Sequence, residues 1–103
     1  MDKNDILIVD DEKEIADLLE VYLTNENYHI HKFYSALAAL ECVENAPISL
    51  AILDVMMPEM DGFSLCQKIR EKHFFPIIML TAKTDDMSKI QGLSLGADDY
   101  ITK

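Results

Sequence analysis

Ile6-Leu7-Ile8-Val9 is an unbroken apolar run that ends at Asp10-Asp11. Four such residues with no polar interruption read as a strand buried on both faces, the pattern of a central parallel strand. The same arrangement recurs downstream. Leu50-Ala51-Ile52-Leu53 ends at Asp54, and Ile77-Ile78-Met79-Leu80, entered through Pro76, ends at Thr81. Asp99-Tyr100-Ile101-Thr102 predicts a last short strand before Lys103.

The intervening segments change period. Ile15, Leu18, Leu19, Tyr22 and Leu23 recur at helical spacing among acids and Lys13, which predicts an amphipathic helix. Tyr28, Ile30 and Phe33 set against His29, His31 and Lys32 predict an edge strand, with both histidines solvated there and lacking a partner. Ser35 is a suitable N-cap for an alanine-rich helix that reaches Asn45 and stops at Ala46-Pro47. Asp61-Gly62 opens a helix carrying Phe63, Leu65, Cys66 and Ile69. Asp85 to Leu95 predicts a fourth helix with Met87, Ile90 and Leu93 inward, and Gly96 suits a left-handed C-cap.

Strands alternating with helices in this way predict an α/β fold with a parallel sheet and right-handed crossovers. Helices must cover both faces of such a sheet. The chain supplies four helices and stops after its fifth strand, so a closing fifth helix is expected to be missing. The flank of the sheet beside the first helix is then expected to expose apolar side chains.

The chain has 103 residues, which suits one domain with one core. Nine basic against nineteen acidic residues give a net charge of −10. That balance disfavours nucleic-acid binding by this segment, because phosphate contacts depend on clustered Lys and Arg. No apolar run is long enough to cross a bilayer, and MDKND lacks the basic and apolar regions of a secretory signal, so a cytoplasmic location is expected. Cys42 and Cys66 match no metal-binding spacing and read as core thiols; the methionines read as packing. His73 follows a basic helix end, where the helix dipole suits a histidine.

In open α/β sheets, function gathers beyond the carboxyl ends of the strands. Those ends carry Asp10, Asp11, Asp54, Thr81 and Lys103. Three carboxylates meeting in one cleft repel one another and would call for a hard cation such as magnesium. An aspartate beside such an ion can act as a nucleophile toward phosphorus. The transferred group needs charge neutralisation at its three equatorial oxygens. Ion, Lys103 ammonium and Thr81 hydroxyl could serve one each.

Ile8-Val9-Asp10-Asp11-Glu12, Leu53-Asp54 through Asp61-Gly62, Leu80-Thr81-Ala82-Lys83 and Gly96-Ala97-Asp98-Asp99-Tyr100-Ile101-Thr102-Lys103 resemble the successive signatures of response-regulator receiver domains. The match runs in order from Asp5 to the last residue. Its wording is similar to the OmpR/PhoB branch of winged-helix transcription regulators, and within it to VanR-like regulators of glycopeptide resistance. The resemblance implies a flavodoxin-like, CheY-like five-stranded sheet of order 2-1-3-4-5. It implies that Asp54 receives phosphate from a sensor histidine kinase of a bacterial two-component system. Asp11, Asp54 and the Met56 carbonyl would ligate magnesium, with Asp10 acting through a bound water. Lys103 would pair with the carboxylate and then the phosphoryl oxygen, Thr81 would be the switch hydroxyl, and Tyr100 the aromatic that turns inward with it. Pro58 and Gly62 would shape the loop after the acceptor. The output would be homodimerisation through the fourth helix and fifth strand, controlling transcription through a DNA-binding domain absent from this segment.

Residue by residue, plainer readings stand beside these. Asp10-Asp11 could be helix N-terminal acids, Thr81 an N-cap, Lys103 a solvated terminus and Tyr100 core filling. Two rival functions also stand. A magnesium-dependent aspartyl-phosphate phosphatase would need a second acid two residues after the nucleophile, where this chain has Met56. A receiver-like binding module without phosphorylation would be expected to lack an acid, the threonine or the lysine, and none is missing. Because Met56 cannot orient a hydrolytic water, loss of phosphate is expected to be slow.

Overall fold

The computed structural model of the chain describes residues 4–81 and 96–102. Along these, the elements are β1 (Asp5–Val9), α1 (Lys13–Asn25), β2 (His29–Phe33), α2 (Ala36–Asn45), β3 (Leu50–Asp54), α3 (Gly62–Arg70), β4 (Ile77–Thr81) and β5 (Asp99–Thr102). The helix expected over 85–95 and the residues Lys83 and Lys103 lie outside the described residues.

The strands form a single five-stranded sheet of order β2-β1-β3-β4-β5, every neighbouring pair parallel. This is the order the resemblance implied. The reversal between β1 and β3 places the carboxyl ends of these two strands side by side, the switch point at which doubly wound sheets open a crevice.

Both faces of β1 are covered, with Ile6, Leu7, Ile8 and Val9 all buried. On one face, Leu7, Val9, Ala51, Leu53, Ile77 and Met79 pack with Ala36, Ala39 and Val43 of α2 and Phe63, Leu65, Cys66 and Ile69 of α3. On the other, Ile6 and Ile8 pack against Ala16 of α1, with Leu19, Leu23, Ile30, Leu50 and Ile52 only partly buried around them. The expectation that β3 and β4 are buried on both faces therefore holds on one face alone. Leu50, Ile52, Ile78 and Leu80 are half-covered, because among the described helices only α1 packs on their side.

Two further expectations are corrected. Leu18 and Tyr22 of α1 are 57% and 65% exposed. At ~100° per residue, they lie to one side of the arc through Ala16, Leu19 and Leu23 that meets the sheet. With Val21 they form an exposed apolar strip on α1. The histidines of β2 do have a partner: each lies 3.0 Å from Asp5 Oδ1. Cys66 is buried as expected, whereas Cys42 is half-buried.

Local chemistry fixes the boundaries. Ser35 accepts from the Ala38 N–H to cap α2, and Asp61 accepts from the Ser64 N–H at 2.8 Å to cap α3. Arg70, at the end of α3, donates from Nε to the Gly96 carbonyl and from Nη2 to Asp98, both under 3 Å. Asp98 also accepts from the Ile77 N–H. These contacts tie α3 to the approach to β5. Gly96 has a φ of +104°, the left-handed backbone expected there. No helix among the described residues is long and apolar enough to cross a membrane.

Candidate functional site

Beyond β1 the backbone keeps its sheet pairing for one more residue, as the Asp10 N–H donates to the Phe33 carbonyl at 3.1 Å. Asp10 thus stays at the end of a central strand and is 1% exposed. Asp54 closes β3 in register with Leu80 and is 2% exposed. Thr81 closes the adjacent β4 and is fully buried. A carboxylate is seldom taken this far from water unless it is paired or coordinates a metal. Two on neighbouring strands, beside a buried hydroxyl, mark this end of the sheet as the candidate site.

The third acid is supplied by the turn into α1. The Glu12 N–H donates to Asp10 Oδ1 at 2.9 Å, and Glu12 has an extended backbone as the N-cap of α1. One carboxylate oxygen each from Asp10, Glu12 and Asp54 falls within a set no more than 4.8 Å across. Like charges at that spacing repel by roughly 3 kcal/mol at an effective dielectric of about 20. The donors are all oxygen. That set fits a hard divalent cation, which takes carboxylates and waters, rather than a thiophilic or imidazole-preferring one.

The expected residues are thus only partly brought together. Asp10 and Asp54 converge and Thr81 stands on the next strand end. Asp11 is exposed and outside the cluster; its carboxylate would have to turn inward to share an ion. Met56 is exposed, two residues beyond Asp54. Tyr100 is 7% exposed and packs into the larger core. Lys103 lies outside the described residues. The residue missed from sequence is Glu12. No sequence signal separates Glu12 from Asp11, because the bend at Asp11 on the way into α1 decides which side chain faces Asp10.

The loop after Asp54 is shaped by close packing. The Val55 N–H donates to the Leu80 carbonyl, and the Gly62 N–H donates back to the Val55 carbonyl at 2.9 Å. A Cβ on Gly62 would meet the Asp54 carbonyl oxygen at 2.1 Å, so α3 can begin here only with glycine. The Pro58 carbonyl accepts from the Met60 N–H within the turn.

Comparison with known proteins agrees with this fold. The model of the response regulator receiver domain family matches residues 6–103. The chain is 62% identical over 98 residues to the regulatory protein VanR of Enterococcus faecium and 57% identical to VanRc of Enterococcus gallinarum. The match covers 95% of this chain and 42% of each relative, so the chain spans less than half the length of these curated relatives. Among solved structures, a two-component response regulator from Clostridium difficile superposes with a TM-score of 0.95 at 30% identity, covering 98% of this chain and 84% of that one.

Proposed function

The chain belongs to the response regulator receiver domain family, and on that premise we propose that Asp54 accepts a phosphoryl group from a sensor histidine kinase. The observation that carries the reading is the convergence of buried Asp10 and Asp54 with Glu12 at the ends of β1 and β3. The ionised Asp54 carboxylate forms the new O–P bond as the donor's N–P bond breaks, and the departing imidazole nitrogen takes a proton from water. Little covalent work is asked of the protein beyond positioning and charge compensation.

The acids suit magnesium, which Asp11, once turned inward, Asp54 and the Met56 carbonyl would hold, with Asp10 acting through a water and Glu12 adding charge beside them. When bound, the ion supplies positive charge to the acids and to a phosphoryl oxygen. Thr81, on the strand next to Asp54, donates its hydroxyl to a second oxygen, and Lys103 pairs with a third. The added charge of roughly −1.5 to −2 is read out by Thr81 and Tyr100, which re-pack the region around β5. Exposed Met56 offers no acid or amide to orient an attacking water, which supports a long-lived phosphoryl state.

In a longer regulator, this change would favour homodimerisation through the fourth helix and fifth strand and control transcription in the bacterial cytoplasm. The segment itself, with its net charge of −10, is not the nucleic-acid-binding part. The test is incubation with magnesium and acetyl phosphate followed by intact mass. A single phosphoryl adduct is expected on the wild type and none on Asp54→Asn; an unmodified wild type refutes the proposal.

A further inference from the structure

At the amino end of the sheet, opposite the acidic cluster, a second convergence of ligand atoms has different chemistry. β2 is an edge strand, and His29 and His31, two residues apart, share one of its faces. The parallel register sets Asp5, the first residue of β1, beside His29. His29 Nδ1 and His31 Nε2 each lie 3.0 Å from the same oxygen, Asp5 Oδ1. The two rings are 4.7 Å apart and tilted by 43°, so they do not stack flat but close on the carboxylate from two directions. The three ligand atoms all lie within 4.8 Å of one another.

We propose that Asp5, His29 and His31 form a separate binding site for a borderline divalent cation of the zinc class at the free edge of the sheet. Two imidazoles with one carboxylate are a donor set that selects such ions over magnesium, whereas the all-oxygen cluster at the other pole has the opposite preference. Ligands ~2.0–2.2 Å from a common tetrahedral zinc stand ~3.3–3.6 Å apart. The two 3.0 Å separations from the imidazoles to the carboxylate therefore open by only a few tenths of an ångström to admit the ion, and the remaining separation is no more than 4.8 Å. Burial is graded suitably: the Asp5 and His31 side chains are 16% and 20% exposed, held by the sheet, while His29 at 63% leaves a path from solvent. With three protein ligands, the fourth position belongs to water, the pattern of an open site and not a closed structural one.

The test is calorimetric titration of zinc into the wild-type chain in excess magnesium, with cobalt(II) absorption reporting nitrogen ligation. One zinc per chain is expected. Loss of an outer-shell partner alone costs ~10–100-fold in metal affinity, so His31→Gln and Asp5→Asn should each weaken zinc at least ~10-fold. Exposed His29→Gln supplies a ligand loss that does not disturb the core, should either of those variants fail to fold. Asp54→Asn should bind zinc as the wild type does. The proposal is overturned if zinc does not bind, if affinity survives loss of either histidine, or if it falls with Asp54→Asn, which would assign the ion to the acidic cluster.

Discussion

Gly62 and Asp54 are in backbone contact: a Cβ on the glycine would stand 2.1 Å from the aspartate's carbonyl oxygen. The start of α3 therefore rests on the main chain of the proposed acceptor, and any side chain at 62 must push one away from the other. Gly62→Ala is expected to cost ~1–3 kcal/mol, the usual range for overpacking. It should also slow phosphorylation by acetyl phosphate, since the Asp54 backbone moves. Urea unfolding and a mass time course check both; wild-type values in each would separate the two residues functionally.

Magnesium should stabilise the chain, because an ion that binds only the folded state adds RT ln(1 + [L]/Kd), about 2.7 kcal/mol at a hundredfold excess over Kd. In a chelator, Glu12→Gln should melt higher than the wild type, since one of the mutually repelling charges is gone. Asp11→Asn should remove most of the magnesium-dependent rise and Glu12→Gln less of it. If Glu12→Gln removes more, Glu12 and not Asp11 is the ligand.

Much of this site could be read directly from the apolar runs. A buried strand followed at once by an acid places that acid at a strand end, and Asp10, Asp54 and Thr81 fall where the runs stop. Asp11 and Glu12 could not be sorted that way, because the side each takes is set by the turn into α1. The cover over the sheet was equally hidden. Ile52 and Ile78 belong to runs as apolar as Leu7 and Ile8, yet are half-covered because a run records hydrophobicity and not which helices pack on each face. The Asp5, His29 and His31 group depends on the register between β1 and β2, a tertiary fact that the alternating pattern of β2 does not encode.

Thr81 is fully buried at the end of β4, so its hydroxyl should matter for reading the phosphoryl group more than for receiving it. Thr81→Ala is expected to gain the same adduct mass as the wild type but, carried in a longer regulator, to lose the proposed phosphorylation-dependent self-association, and Thr81→Ser to keep it. Sedimentation velocity before and after acetyl phosphate decides. Association of the phosphorylated alanine variant at wild-type strength would remove Thr81 from the switch.

Acid sensitivity should have a surface contribution from Asp17. Lys32 and then Tyr34 donate to its carboxylate, at 2.6 and 2.7 Å, and hold it below the ordinary aspartate value of 3.8. A carboxyl lowered in the folded state contributes stability that is full above pH 3.8 and fades as pH falls through and below it. Asp17→Asn should therefore be less stable than the wild type at neutral pH, with the gap closing in acid and shrinking in high salt. Thermal melts across pH would show it; a gap that widens in acid contradicts the assignment.

The most direct measurement locates the phosphoryl group. After reaction with acetyl phosphate and magnesium, borohydride reduces an aspartyl phosphate to homoserine, which peptide mass spectrometry reads by position. Homoserine at residue 54 alone is the predicted result. Homoserine at Asp10 or Asp11, or at no position in a chain that has gained phosphate, would contradict it.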